Sequence, residues 1–117
     1  MRKIAFSALP ETPLPAEVGT VMRRFTGGDS ITVAKITFVA GSVLPGHHHV
    51  NEQYTIVMDG ALEFVDDAGN TTPVHAGEIM HLPSNVWHGA KALADTTVID
   101  IFSPVRRDWG SPPEPVT

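Results

Sequence analysis

Apolar and polar residues alternate in short runs along most of the chain, and Gly, Pro, Asn and Asp cut the runs apart. "VMRRF" leads into a Gly27-Gly28-Asp29 turn, and "ITVAKITFV" follows, rich in branched and aromatic residues that suit a pleated, half-buried surface. "QYTIVMDGALEFV" reads as two runs about Asp59-Gly60, and a second turn covers 67–70. "EIMHLP", "VWHGAKAL" and "TTVIDIF" complete the series, while no stretch sustains the 3.6-residue apolar period of a helix. Many short strands with this punctuation predict an all-β sandwich or barrel. "ITVAKITFV" and "VIDIF" are apolar at both parities, so burial is expected on two faces. One face would line a barrel and the other would meet a second copy in a homodimer.

"SALPETPLPAEVGT", residues 7–20, carries three prolines, each of which removes a ladder donor and restrains its predecessor. The expected organisation is one domain, with an irregular arm over 1–20, a β-barrel over 21–109 and a Pro-rich tail over 110–117. With 42% hydrophobic and 18% charged residues, the composition is that of a folded globular chain. A formal charge of −5, with basic pairs such as Arg23-Arg24 and Arg106-Arg107 that form no basic stripe, argues against a nucleic-acid partner. No run is long enough to span a bilayer, and Pro10, Glu11 and Pro13 interrupt any leader-like apolar region. A cytoplasmic protein without a membrane partner is expected. The chain has no cysteine, so a metal site must use His, carboxylate or amide ligands.

Such ligands cluster in "GSVLPGHHHVNEQYTIVMDG", from Gly41 to Gly60. Residues two apart share a strand face, so His47 and His49 point together and His48 points away. Two imidazoles inside a barrel can chelate one divalent cation, and a third from a distant strand would complete a facial set. Gly41, five residues, His47-x-His49, three residues, Gln53, six residues, Gly60 resembles the first motif of the cupin family, with Gln in the usual Glu position. Gly77, five residues, Pro83, then Asn85 and His88 resembles the second, with Asn85 for its usual Gly and Ala92 for its usual Asn. Asn tolerates a left-handed turn, so the first exchange is mild. The resemblance implies a double-stranded β-helix, or jelly roll. It also implies a divalent transition metal (Ni, Fe, Mn, Co or Zn) on His47, His49, Gln53 and His88. Glu52 is one residue out of spacing with Gly60 and is set aside. His75 and His81 read as surface or hydrogen-bonded structural residues, and Trp87 as packing or a dimer contact.

Three neutral imidazoles and an amide leave a divalent ion its full charge, whereas a carboxylate would remove one unit. The site is thus a stronger Lewis acid toward an anionic ligand, and its proton acceptor must lie elsewhere. Asp100, inside the apolar run "TTVIDIF", is the candidate, because an ionised carboxylate is costly there without a partner. Alternation places Val98, Asp100 and Phe102 on one face and Ile99 and Ile101 on the other. Facing the cavity, Asp100 would act as general acid or base. Arg106 and Arg107 offer a bidentate clamp for a substrate carboxylate.

"HHHVNEQYTIVMDGALEF", "HAGEIMHLPSNVWHGAKAL" and "DIFSPVRRDW" together resemble the KdgF group of cupins, which process unsaturated monouronates released from pectin and alginate. The resemblance runs from Gly41 to Trp109. It implies metal ligands at His47, His49, Gln53 and His88, a catalytic Asp100, and functional positions at Phe102 and Arg106. The implied reaction opens the ring of a 4,5-unsaturated uronate to an enol, which tautomerises to a linear α-keto acid. Metal charge would stabilise the transition and Asp100 would move the proton. The residues also leave open a metal-dependent dioxygenase or natural-product tailoring enzyme acting on a small acid or diketone, and a non-enzymatic carbohydrate-binding cupin.

Overall fold

The computed structural model describes residues 1–110, so the expected tail lies outside the described residues from position 111 onward. The strands are β1 (Thr12–Pro13), β2 (Val21–Gly27), β3 (Thr32–Phe38), β4 (Val43–His47), β5 (Glu52–Asp59), β6 (Ala61–Val65), β7 (Thr71–His75), β8 (Ile79–Leu82), β9 (His88–Ala92) and β10 (Thr96–Ser103). They form a six-stranded sheet in the order β1-β2-β3-β10-β5-β8 and a four-stranded sheet in the order β4-β9-β6-β7, with every ladder antiparallel. This is the jelly-roll arrangement that the strand pattern and the two motifs predict. Among the described residues no helix is long and apolar enough to cross a membrane.

Alternation decides which side chains meet between the sheets. On β3, Thr32, Ala34, Ile36 and Phe38 are buried, and on β10 Thr96, Val98, Asp100 and Phe102 are. Leu62, Phe64, Val74, Ala90 and Ala92 of the smaller sheet pack against Val21, Phe25, Ile36, Val57 and Val98 of the larger one. Ala92 is thus a core residue, 1% exposed, at the position where the second motif usually has Asn. The other parity of β10, Ile99 and Ile101, is only half-buried. On the same outer face Tyr54, Met58 and Ile79 are exposed.

Two turns need their particular residues. Gly60, at φ +84°, passes the chain from one sheet to the other, and a side chain there would collide with the Asp95 carbonyl. Asn85 sits at φ +64°, the left-handed conformation that its substitution for Gly anticipates.

The arm is more ordered than an irregular segment. Thr12–Pro13 adds a short edge strand to β2, where the two prolyl-restrained residues need few ladder bonds. The Leu14 amide donates to the Val21 carbonyl at 2.9 Å, and the Glu17 amide to the Val43 carbonyl at 2.8 Å. The arm therefore runs from the larger sheet to the smaller one and closes that side of the barrel. Leu14 and Pro15 become part of a cavity wall.

Candidate metal centre

That cavity, about 500 Å³, opens at one end of the barrel and holds the candidate residues of both motifs. His47 and His88 are directly paired across β4 and β9, just past a register shift that bends β4 before its last residue. His49 follows on the loop after β4. Gln53 enters from β5 of the opposite sheet, so the site joins the two layers.

One ring nitrogen from each of His47, His49 and His88 lies within 4.8 Å of the other two. Each Nδ1 faces a backbone carbonyl at 2.9 Å: Pro45 for His47, Asn51 for His49 and Val86 for His88. A carbonyl accepts only, so each Nδ1 carries a proton, and in the neutral ring Nε2 keeps its lone pair. These carbonyls also hold the rings in place, as the outer partners of metal-binding histidines do. Burial lowers the His88 pKa to about 4 and also lowers that of His49, with help from the Arg106 charge nearby. Both rings are therefore neutral at physiological pH, the form a metal requires.

Gln53 Oε1 lies 3.0 Å from His49 Nε2. Two lone pairs this close need a proton or a metal ion between them, and the residues fit a bound divalent metal. The amide is oriented from behind. Its Nε2 donates to Thr55 Oγ1 at 2.9 Å, and the Thr55 hydroxyl donates to Asp100 Oδ1 at 2.6 Å. Thr55 lies two residues beyond Gln53 and directly opposite Asp100 in the β5–β10 ladder, so strand register alone aligns the three. Asp100 is 6% exposed. Burial pushes its pKa up to about 7, against the Thr55 hydrogen bond, the Arg106 charge and the Gln53 amide, all of which lower it.

Phe102, buried on the same face, stacks edge-on against His49 with centroids 5.7 Å apart, and the Arg106 guanidinium lies 4.7 Å over its ring. Arg106 lines the cavity, but its side-on edge is not free for a substrate carboxylate. That edge is filled by Asp108, at 2.9 Å from Nε and 2.7 Å from the second nitrogen. Arg107 is exposed and outside the cavity lining. The expected Arg106–Arg107 clamp is therefore corrected: a side chain two residues on competes for the fork. His48 also departs from strict alternation. Because β4 stops at His47, His48 sits exposed at the cavity mouth, although it remains outside the triad.

Glu52 points outward and pairs with His81 at 2.7 Å, while His81 stacks on Tyr54. His75 is exposed. Trp87 packs its ring directly over Gly46, where any side chain would collide with it. Sequence reasoning missed Thr55, Arg23, Asp108 and Trp109 as cavity residues. Thr55 and Arg23 were accessible by alternation, from Gln53 and from Val21 and Phe25. Asp108 and Trp109 belong to a 3-10 turn, 107–109, that no periodicity announces.

A cupin-domain family model matches residues 34–102. KdgF from a Halomonas species is 30% identical over 84% of this chain and 92% of its own, with a TM-score of 0.72. An RmlC-like cupin from Shewanella frigidimarina is 25% identical over 93% of this chain and 96% of its own, with a TM-score of 0.78. No curated protein sequence matches the chain.

Proposed function

The chain belongs to the cupin family, and on that premise we propose that it is a metal-dependent enzyme that opens and linearises a 4,5-unsaturated monouronate. The observation that carries this reading is the Gln53–Thr55–Asp100 chain, which links a neutral amide ligand to a buried carboxylate without a bonded cation. Similarity to the Halomonas KdgF supports the substrate class.

His47, His49 and His88 would hold the metal through Nε2, and Gln53 through Oε1. When bound, a divalent ion with four neutral ligands supplies a full double charge that stabilises negative charge developing on substrate oxygen. Asp100 does the proton work. As the carboxylate it accepts the proton of the anomeric hydroxyl, the C1–ring-oxygen bond breaks, and C1 becomes an aldehyde. The ring oxygen leaves with the bond pair, as the enolate oxygen on C5. As the acid, Asp100 returns that same proton to C4, and the enolate becomes the keto group of the α-keto acid. No electron is gained or lost. A pKa of about 7 leaves both forms of Asp100 populated near neutrality. Phe102 excludes water beside His49 and keeps that ring upright.

The test is an anaerobic ultraviolet assay on unsaturated galacturonate and guluronate, with metal content measured on the same sample. Loss of the conjugated chromophore faster than its spontaneous decay is expected, with no need for oxygen. A fully metal-loaded protein that gives no acceleration on either sugar overturns the reading. Turnover of a small acid or diketone that depends on oxygen would establish the dioxygenase in its place.

A further inference from the structure

The cavity contains two guanidiniums and treats them differently. Arg106 is buried and bidentate to Asp108. Arg23 has inward parity on β2, between the buried Val21 and Phe25, and so projects into the same space. Among the described residues it forms no salt bridge. Its one hydrogen bond there runs from Nε to Thr12 Oγ1 at 3.1 Å, and Thr12 is its register partner on β1 of the arm. The guanidinium lies 5.1 Å over the Phe25 ring and 4.6 Å over Trp109, while Arg106 lies 4.5 Å from that same indole.

Arg23 is thus held at Nε and against two rings, and among the described residues neither terminal nitrogen has a hydrogen-bond partner. A fork fixed in this way loses little freedom when it receives a planar anion. The charge balance points the same way. Two cations share one wall, and the local carboxylate, Asp108, is committed to Arg106. Burial and the neighbouring Arg106 both lower the Arg23 pKa, and the Asp108 charge offsets them only in part.

We propose that Arg23 anchors the ligand's carboxylate and that Thr12, on the Pro-rich arm, is the positioning residue that aims it. For the kind of acid bound, a sugar-sized ring bearing a carboxylate, this rests on the function proposed above. It transfers to β2 the role expected of Arg106 and Arg107 from their pairing in the sequence. The arm gains a function as well, because the segment ahead of the barrel then selects acids over neutral sugars.

The experiment is calorimetric titration of the metal-loaded full chain with galacturonate and with galactose, its neutral counterpart. The wild-type protein is expected to bind galacturonate more tightly than galactose. Arg23→Gln should weaken galacturonate by about tenfold to a hundredfold, the value of a charge-assisted pair, and leave galactose and metal content unchanged. Arg23→Lys, which keeps the charge but loses the fork, should fall between. Thr12→Val should weaken galacturonate severalfold with Arg23 intact, so the assignment stays testable if Arg23→Gln unfolds. Equal galacturonate affinity in wild type and Arg23→Gln overturns the proposal, as does a wild-type protein that binds galacturonate no better than galactose. Arg23-dependent binding by a protein that does not linearise unsaturated uronates would sink the reaction and leave the anchor standing.

Discussion

Two walls of one cavity each carry an aspartate, and the two are held in opposite states. On the β5–β10 wall, Asp100 is buried and bonded by a neutral hydroxyl, and its pKa rises to about 7. On the wall formed by the 107–109 turn, Asp108 has a side chain 59% exposed and bidentate to Arg106, and that hydrogen-bonded pairing lowers its pKa. Burial without a cation makes a group that exchanges its proton near neutrality. A solvated carboxylate in contact with a guanidinium stays ionised. The first can move a proton, and the second can only hold an arginine in place.

Asp100→Asn is the sharpest way to break this contrast. Turnover should fall by about 10²–10⁴-fold, the value of a positioned acid or base, with metal content unchanged. Undiminished turnover would take Asp100 out of the chemistry. The same variant tests the pKa in metal-free protein. Because the folded pKa lies above the unfolded value of 3.8, the contribution of Asp100 to stability is fully present below that value and is lost as pH rises through 7. The loss is on the order of 4 kcal/mol, so Asp100→Asn should remove that decline from denaturant titrations run between about pH 4 and 8.

A smaller effect is expected one step along the chain of hydrogen bonds. Thr55→Val keeps the volume but lets the Gln53 amide turn, and metal affinity should drop by roughly ten- to a hundredfold in chelator competition. Thr55→Ser should restore it. An unchanged affinity in the valine variant would show that the amide holds its orientation without the hydroxyl. The smallest change belongs to the other wall. Asp108→Asn should cost about 1 kcal/mol or less, because the carboxylate is largely solvated. A loss several times larger in a thermal melt would erase the distinction between the two walls.

Much of this arrangement was legible before folding. The spacing of Gly41, His47, His49, Gln53 and Gly60, with His88 behind Pro83, selected the four candidate ligands and excluded Glu52, which the structure turns outward to His81. The polar interruption of an apolar run marked Asp100. Alternation kept His48 out of the triad, as the structure does, but did not give its place at the cavity mouth, because the rule ends where β4 ends. The partner of Arg106 was not legible for a related reason: a fork that suits a substrate suits Asp108 equally well, and the 3-10 turn that brings Asp108 within reach has no periodic signature.

What the sequence determined by itself was the alternation of buried and exposed residues, the turn positions and the set of potential ligands. These depend on neighbours a few residues apart, and strand geometry makes that dependence strict. Tertiary structure alone decided that Thr55 faces Asp100, that the arm's Thr12 meets Arg23, and that Asp108 takes the edge of Arg106. Those pairings join segments through ladder register and a turn, and they fix which charges are matched and which remain for a ligand.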